Sequence, residues 1–396
     1  MINKKKYISN YDNFLVEKRS SLEIPLPKDI IQISDAYIKA GKEIFLVGGA
    51  VRDFIQGISP KDYDLVTNAL PEESKEILKD FNVSDEQGKN FGVLRVYTKD
   101  DPEGYELATY RRDISKGRDT KGEDQKVKIG SDVTIKDDCM RRDLTINSLF
   151  YDIQNKKIVD LVGGIDDIKN GIIRSVGDAN QRFIEDRLRI CRIFRFAART
   201  GGEIEEETSN AIKRDNRLKG VGPKDDVSQE RIWEEFEKAF KQSKDFKRYL
   251  EFYNEYNMWV EAFPGSIVNK KMIDSNYIVS HLANIFKNEN LETLENKMVQ
   301  SWKIPIDVSR KVKFLISLIN FNSDSVMDFY KAKIRCRISN DEILDWIKVA
   351  NLNDKYLTKF IDFVPKVSAK ELMDLGFKAK ALGDEINRLE SEEFKK

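Results

Sequence analysis

The stretch Leu46-Val-Gly-Gly-Ala-Val-Arg-Asp53, followed by Lys61-Asp-Tyr-Asp-Leu-Val-Thr67, decides the fold of this chain. Its apolar start predicts a strand over residues 43–47, and its glycine pair predicts a turn into a short helix. A second strand, which carries two aspartates, then follows. This order of elements predicts an α/β unit in which a turn lies beside a pair of carboxylates.

The two aspartates, Asp62 and Asp64, are two residues apart in a segment rich in β-formers. Side chains alternate between the faces of a strand, so both carboxylates are expected on the same side. Adjacent carboxylates repel each other unless a cation lies between them, and a hard divalent ion such as magnesium takes oxygen ligands from carboxylates and substrate phosphate. Asp62 and Asp64 are therefore candidate magnesium ligands, although the same spacing also occurs at solvated strand ends.

Gly48 and Gly49 have no side chains that would block a ligand, and the following helix presents free N–H groups to an anion. A glycine pair is also common in ordinary turns. The glycine turn and the aspartate pair together indicate metal-assisted handling of a nucleoside triphosphate.

Length and composition limit the classes of protein that remain. A chain of 396 residues can form two to four compact units. Its charged residues make up 34% of the chain, its mean hydropathy is −0.54, and no apolar run approaches the roughly 18 residues of a membrane span. Residues 1–10 are basic without an apolar region behind them, which argues against a secretory signal. These observations predict a cytoplasmic protein without a membrane partner.

Basic and acidic residues are equal in number, so any contact with RNA must come from local patches. Cys139, Cys191 and Cys336 lack metal-ligand spacing, which predicts free thiols in a reducing compartment. The single histidine, His281, is predicted to be structural. This scarcity of histidine excludes a histidine-metal phosphohydrolase module.

Two further strands are predicted over residues 91–98 and 105–111. In the second, Glu106 shares a face with Ala108 and Tyr110, so its carboxylate could meet the aspartate pair across a sheet. It could equally be an ordinary surface residue. Residues 113–136 are rich in glycine and charge, which predicts a long loop to which we assign no residue roles.

The heptapeptide Arg141-Arg-Asp-Leu-Thr-Ile-Asn147 combines an arginine pair with an aspartate. It could simply begin a helix with flanking charges. Functionally, a guanidinium matches phosphate oxygens bidentately, and an aspartate can accept hydrogen bonds from ribose hydroxyls.

The segment Phe183-Ile-Glu-Asp-Arg-Leu-Arg-Ile-Cys-Arg-Ile-Phe-Arg-Phe-Ala-Ala-Arg199 has apolar residues at helical spacing. Asp186 and Arg189 are three residues apart, which would make them neighbours on one helical face. An ion-paired helix with an arginine stripe is one interpretation. In the other, the aspartate accepts from the exocyclic amino group shared by cytosine and adenine, and the arginine donates to the ring nitrogen. Uracil and guanine would leave a buried acceptor unpaired, so such a pair could select CTP and ATP.

Taken in order, these motifs resemble those of class II tRNA nucleotidyltransferases, the CCA-adding enzymes, and of the related bacterial poly(A) polymerases. The resemblance implies that Asp62 and Asp64 bind Mg²⁺ and that Glu106 is a third catalytic carboxylate. It further implies that Arg142 holds the triphosphate, Asp143 contacts the ribose, and Asp186 with Arg189 recognises the base. The full implied nucleotide-binding set is Gly48, Gly49, Arg52, Arg142, Asp143, Asn147, Asp186, Arg189, Arg192 and Arg195. Arg187 departs from the family pattern, in which proline or a small residue is common.

The resemblance also implies a fold and a reaction. An N-terminal extension (residues 1–25) would precede an α/β head with a mixed sheet (26–177). A helical neck (178–263) and a helical body and tail (264–396), the expected tRNA-binding region, would follow. The implied reaction is template-independent addition of CMP, CMP and AMP to the 3′ end of tRNA from CTP and ATP. Poly(A) polymerase activity, addition of only CC or only A, and a noncatalytic RNA-binding protein remain as alternatives.

Overall fold

The computed structural model describes residues 23–85, 92–113, 127–219 and 227–396. Residues 1–22 of the predicted N-terminal extension and residues 114–126 of the predicted 113–136 loop lie outside these ranges. The chain divides into two compact units, and the division falls near residue 215. Residues 216–219 belong with the second unit, which otherwise begins at Val227.

A seven-stranded sheet organises the first unit, with the strand order β3-β4-β5-β2-β1-β8-β9. Strands β2 and β5 are parallel, whereas the other pairings within this sheet are antiparallel. The mixed sheet predicted from the sequence is therefore confirmed. Its strands are β1 (Ile44–Val47), β2 (Asp64–Thr67), β3 (Asn82–Ser84), β4 (Val93–Tyr97), β5 (Tyr105–Thr109), β8 (Leu149–Asp152) and β9 (Lys157–Asp160). Two short pairs lie outside it, β6 (Arg112–Asp113) with β7 (Val127–Lys128), and β10 (Ile172–Ile173) with β11 (Glu203–Ile204).

The described part of the first unit also contains α-helices, which pack on this sheet and follow it along the chain. They are α1 (Lys28–Lys39), α2 (Gly49–Ile55), α3 (Pro71–Ile77), α4 (Ile135–Met140), α5 (Gly164–Asn170), α6 (Ala179–Glu185), α7 (Leu188–Thr200) and α8 (Glu206–Arg214). Because side chains alternate along each strand, the sheet contributes to two apolar clusters. Leu65 and Leu107 belong to one cluster, and Val66 and Ala108 belong to the other. Asp64 and Glu106, each two residues before a member of the second cluster, therefore share the face of that cluster.

One feature of the predicted neck differs from the expectation. Residues 183–199 do not form a single helix, because α6 ends at Glu185 and α7 begins at Leu188. Asp186 between them is extended, with φ −152° and ψ 106°, and its carboxylate accepts a hydrogen bond from the backbone N–H of Leu188 at 3.1 Å. Short acidic side chains compete with helical hydrogen bonds in this way, and helical periodicity alone does not register the break.

The second unit is helical throughout its described part, as predicted. Its α-helices are α9 (Gln229–Gln242), α10 (Phe246–Glu255), α11 (Trp259–Ala262), α12 (Ile278–Phe286), α13 (Leu291–Asn296), α14 (Ile306–Ser317), α15 (Val326–Cys336), α16 (Asn340–Val349), α17 (Lys355–Ile361), α18 (Ala369–Asp374) and α19 (Ala379–Lys395). Ser228 caps α9, since its side chain accepts from the N–H of Arg231. Among the residues that the structure describes, no helix is both long and apolar enough to cross a bilayer.

The single histidine lies in the core, as the sequence predicted. His281 is buried against Phe246, at 4.9 Å between ring centroids, and its Nε2 contacts the carbonyl of Ser275 at 3.0 Å. Burial lowers the pKa of His281, which favours the neutral ring of a core residue. All three cysteines are buried thiols.

Candidate nucleotide and metal site

Strands β2 and β5 bring two of the predicted carboxylates together. Leu65 is paired with Leu107 in the parallel register, so the preceding residues, Asp64 and Glu106, are neighbours at the same end of the two strands. Both side chains are solvent-exposed. Asp62 lies two residues before the start of β2 and is also exposed, within electrostatic range of Asp64. The strand alternation assumed for Asp62 therefore does not apply, although its charge still acts on the site.

The electrostatics of Asp64 indicate a place for a cation. Its side chain reaches solvent, but the surrounding protein partly desolvates it, and Glu106 and Asp62 add negative charge. Partial desolvation is the largest cause that raises the pKa of Asp64, and the two carboxylates add to it. The positive charges of Arg142 and Arg95 act in the opposite direction but are outweighed, so the pKa rises from 3.8 to about 6. A bound divalent cation would reverse this shift because it favours the ionised form.

The donor set fits a metal that keeps part of its coordination shell for substrate. Among the described residues, no group of three or more Asp, Glu, His or Cys side chains is placed to hold a metal ion. A hard divalent ion such as Mg²⁺ typically takes one or two carboxylates together with substrate phosphates. The exposed carboxylates of Asp62 and Asp64 suit that mode of binding.

The glycine turn lies beside the guanidinium of Arg142. Gly48 has a φ of +72°, a conformation that side-chain-bearing residues rarely adopt. A Cβ atom at Gly48 would lie 3.7 Å from Nη1 of Arg142. The guanidinium of Arg142 also lies over the ring of Phe150, at 5.2 Å. The glycine turn thus lies next to a cation that is also in electrostatic range of Asp64.

Asp138 holds Arg142 in place, and the sequence analysis missed it. This fully buried carboxylate of α4 accepts from Nη2 of Arg142 at 2.8 Å and from Nε of Arg141 at 2.8 Å. It also accepts from the backbone N–H of Arg111 at 3.2 Å. Burial alone would raise the pKa of Asp138, but the two arginines lower it below its usual value. Its i, i+3 and i, i+4 spacing to the arginine pair was the available sequence signal.

We expect Asp138→Asn to lower the free energy of unfolding by roughly 3 to 5 kcal/mol, because it leaves two guanidinium groups without their buried carboxylate. Affinity for CTP should fall about tenfold, since Arg142 would lose the charge-assisted bonds that orient it. Urea unfolding and calorimetric titration with CTP measure the two effects.

The matched control is Asp137→Asn, on the same helix. Asp137 caps α4 by accepting from the N–H of Thr134 at 2.9 Å, so its loss should cost only about 1 kcal/mol. Equal effects of the two substitutions on unfolding and on CTP affinity would contradict a positioning role for Asp138.

Asp143 is linked to the predicted nucleotide-binding arginines. Its carboxylate accepts from Nε of Arg192 at 2.7 Å and from the amide of Asn147 at 3.4 Å. Burial acts to raise the pKa of Asp143, but the charge and hydrogen bonds of Arg192 outweigh it and leave the pKa at about 2. Asp143 is therefore an ionised hydrogen-bond acceptor at neutral pH. The side-chain oxygen of Asn147 accepts in turn from the buried guanidinium of Arg52.

Arg52 belongs to a buried ionic network with residues of α7. It donates to Asp53 at 2.7 Å, and Asp53 also accepts from Arg199 at 3.0 Å. The guanidinium groups of Arg52 and Arg195 lie over the ring of Phe196, at 5.0 and 4.4 Å. Arg52 and Arg195 are only 2% and 4% exposed, so both side chains are buried between α2 and α7. Their proposed contact with nucleotide remains a prediction.

The predicted base-recognising residues lie at the junction of α6 and α7. Arg189 donates to Glu185 at 3.0 Å and to the carbonyl of Arg141 at 2.9 Å, so it contacts the segment that carries Arg142. Asp186 lies between the two helices, and its carboxylate accepts from the N–H of Leu188, the first residue of α7. Arg187, the departure from the family pattern, is buried and donates to Asp215 at 2.8 Å.

Comparisons with known proteins agree with this architecture. Residues 44–174 match the family model described as the poly A polymerase head domain. The CCA-adding enzyme of Ligilactobacillus salivarius is 30% identical over 387 residues, covering 92% of this chain and 91% of the relative. Poly(A) polymerase I of Salmonella typhi is 33% identical over 232 residues, which cover 57% of this chain and 48% of that protein. The CTP complex of the Bacillus stearothermophilus CCA-adding enzyme shares the fold, with a TM-score of 0.64, 21% identity, and coverage of 92% of this chain and 93% of that one.

The mixed sheet, with carboxylates at one end of adjacent strands and a glycine turn beside an arginine, defines a nucleotidyltransferase. More narrowly, the chain belongs to the family of CCA-adding enzymes and bacterial poly(A) polymerases, as the similarity over almost its whole length shows. Enzymes of this family generally use a divalent metal ion.

Proposed function

We propose that this chain adds CMP, CMP and AMP to the 3′ end of tRNA from CTP and ATP and releases pyrophosphate. The observation that carries the proposal is the similarity to a CCA-adding enzyme over 92% of the chain, whereas the similarity to poly(A) polymerases covers little more than half of it. The arrangement of Asp64, Glu106 and Arg142 supplies the chemistry that this reaction needs.

Asp62 and Asp64 would hold the metal, which we propose to be Mg²⁺. When bound there, it would lower the pKa of the attacking 3′ hydroxyl and stabilise negative charge on the leaving phosphates. Glu106, beside Asp64, would assist as the third carboxylate. Arg142, kept in place by Asp138, would bind the triphosphate next to the backbone of Gly48 and Gly49. Asp143, ionised by its pairing with Arg192, would accept from a ribose hydroxyl.

We further propose that the base is selected by Asp186 and Arg189, on an element separate from the carboxylates. The bond from Arg189 to the carbonyl of Arg141 supports this, because it ties the proposed base-recognising arginine to the segment that carries Arg142. Selection and chemistry would then occur in one fixed arrangement of side chains without a nucleic-acid template. The proposed partner is tRNA and the proposed compartment is the cytoplasm.

Metal binding should weaken as the pH falls through about 6, because protonation of Asp64 removes a ligand charge. The pKa of Asp64 in the folded protein lies above its ordinary value of 3.8, so protonation of this carboxyl stabilises the fold. That stabilisation is present at low pH. In the metal-free protein this stabilisation is lost as the pH rises from 3.8 to about 6. Manganese titration followed by electron paramagnetic resonance, and thermal unfolding from about pH 4 to pH 7, measure these two effects.

The control for this prediction is Asp64→Asn. The substitution should abolish the pH dependence of unfolding near pH 6 in the metal-free protein and weaken Mn²⁺ binding at every pH. A variant that retains the wild-type pH profile would show that another group is responsible.

A second candidate function is poly(A) addition, which is favoured by the 33% identity to Poly(A) polymerase I over the head and the following segment. Enzymes that add only CC or only A are also consistent with the same carboxylates. A noncatalytic RNA-binding protein is the candidate from another class, and retention of Asp62, Asp64 and Glu106 argues against it.

One experiment separates these candidates. Wild-type protein is incubated with Mg²⁺ and with tRNAs that end before CCA, after C and after CC, and each nucleotide is supplied alone or with the others. Addition of three residues followed by a stop supports the proposal. An unlimited A tail would support the poly(A) candidate, and no incorporation at all would support the noncatalytic one.

A further inference from the structure

Arg111 has a buried polar atom that none of the described residues pairs with. This residue follows the end of β5 by two positions, and its side chain is partly buried. Its Nε atom is inaccessible to solvent and finds no hydrogen-bond partner among the described residues. Buried donors on charged groups are usually satisfied, because leaving one unpaired costs the full desolvation penalty. The unpaired Nε therefore indicates a hydrogen-bond acceptor that lies outside the described part of the protein.

The surroundings of Arg111 show which charge that partner should carry. Arg141 and Arg142 lie within electrostatic range of Arg111, and all three surround the single carboxylate of Asp138. Burial, together with these like charges, lowers the pKa of Arg111 to about 10. Asp138 lies near three guanidinium groups but carries a single charge, so the arginine cluster of Arg111, Arg141 and Arg142 keeps a net positive charge.

Other carboxylates near this cluster do not neutralise it. Asp138 already bonds to both neighbouring arginines and contacts only the backbone N–H of Arg111. Glu106 lies in electrostatic range of Arg111, but it also stands beside Asp64 in the proposed metal site. Asp143, next in sequence, is paired with Arg192. An anion from outside the chain would offset this charge, and a small movement of the Arg111 side chain would let its unpaired Nε donate to that anion.

We propose that Arg111 binds a phosphate group of a substrate and so completes a three-arginine phosphate site around Asp138. The inference rests on the proposed function, since both substrates of that reaction carry phosphates. A guanidinium presents several donors in a planar fork that matches phosphate oxygens, and such charge-assisted bonds are strong in a partly buried position. The phosphate belongs either to the incoming nucleoside triphosphate or to the backbone of the RNA 3′ end.

The test measures binding without turnover in the full chain carrying Arg111→Gln or Arg111→Lys. The first arm titrates CTP, and cytidine as its phosphate-free counterpart, with Ca²⁺ in place of Mg²⁺ and without tRNA. The second arm measures binding of a tRNA that lacks CCA, without nucleotide, over a range of salt concentrations. We expect Arg111→Gln to lose about tenfold or more in one arm, with Arg111→Lys partly restoring the affinity. A loss for CTP but not for cytidine identifies the triphosphate as the ligand. A loss for tRNA with a salt slope shallower by about 0.7 identifies an RNA phosphate.

The adjacent Arg112→Gln is the matched control. Arg112 is 41% exposed and pairs with Asp132 at 3.2 Å, so its loss removes the same charge without disturbing the cluster. We expect changes in affinity below about twofold.

Unchanged affinity in both arms for Arg111→Gln, or equal losses for CTP and cytidine, would overturn the inference. A fall in tRNA affinity with an unaltered salt slope would also overturn it. If Arg111→Gln fails to fold, the comparison of Arg111→Lys with wild type gives the same decision. Failure of wild-type protein to add nucleotides to tRNA would instead count against the proposed function.

Discussion

Asp64→Ala is expected to reduce nucleotide transfer to tRNA by at least about a thousandfold, which corresponds to roughly 4 kcal/mol of transition-state stabilisation. Asp64 is central to the site, because it stands between Glu106 on the neighbouring strand and the charge of Asp62. Its loss would remove a proposed metal ligand whose charge both other carboxylates influence. Single-turnover incorporation of radiolabelled CMP measures the effect.

The fold should survive this substitution. Asp64 is the exposed first residue of β2, and its carboxylate is repelled by its neighbours, so its removal leaves the apolar clusters of the sheet intact. Asp100→Ala, at an exposed carboxylate in the loop between β4 and β5, is the matched control and should retain wild-type transfer. Turnover close to wild type in a folded Asp64→Ala protein would refute the metal assignment.

Arg189→Ala is expected to lose discrimination against UTP and GTP by more than it loses affinity for the triphosphate. If Arg189 donates to the ring nitrogen shared by cytosine and adenine, its loss removes the donor that distinguishes the bases. The triphosphate contacts proposed for Arg142 would remain. A site built on hydrogen bonds can discriminate by factors up to about 10⁴, so we expect the preference for CTP over UTP to fall at least about tenfold. Competition between paired nucleotides in the incorporation assay gives the ratio directly.

The structure adds a refinement to this prediction. Arg189 also bonds to Glu185 and to the carbonyl of Arg141, so some loss of turnover for all nucleotides is expected from displacement of the Arg142 segment. Arg214→Ala is the matched control, since Arg214 is exposed in the same unit and donates to the side chain of Asn180. Equal losses for all four nucleotides in Arg189→Ala would exclude the base-selecting role.

The helix break at Asp186 shows where sequence reasoning reached its limit. Apolar periodicity predicted helix on both sides of this residue correctly, because that pattern is local to each segment. The carboxylate of Asp186 bonds to the N–H two residues ahead and ends the first helix. Its spacing to Arg189 therefore does not place the two side chains on one helical face. Whether they converge on a base depends on the turn between α6 and α7 rather than on the 3.6-residue period.

The sequence alone determined the elements and the order of the motifs. Alternation along the predicted strands indicated that the carboxylate of Glu106 could meet the aspartate pair, and the glycine pair predicted the turn at Gly48, because strand alternation and glycine conformation are properties of a few consecutive residues. The helical character of the region after Val227 followed in the same way.

Only the tertiary structure decided which charged groups meet. Asp143 accepts from Arg192, 49 residues away, and Asp53 from Arg199, 146 residues away. Asp138 lies buried beneath Arg141 and Arg142 and holds the N–H of Arg111 at the end of a strand. These partners are selected by the packing of helices on the sheet, which buries charges and so makes their pairing obligatory. Local spacing carries no information about that packing, so it indicated the candidate carboxylates but not the buried residues that position the arginines around them.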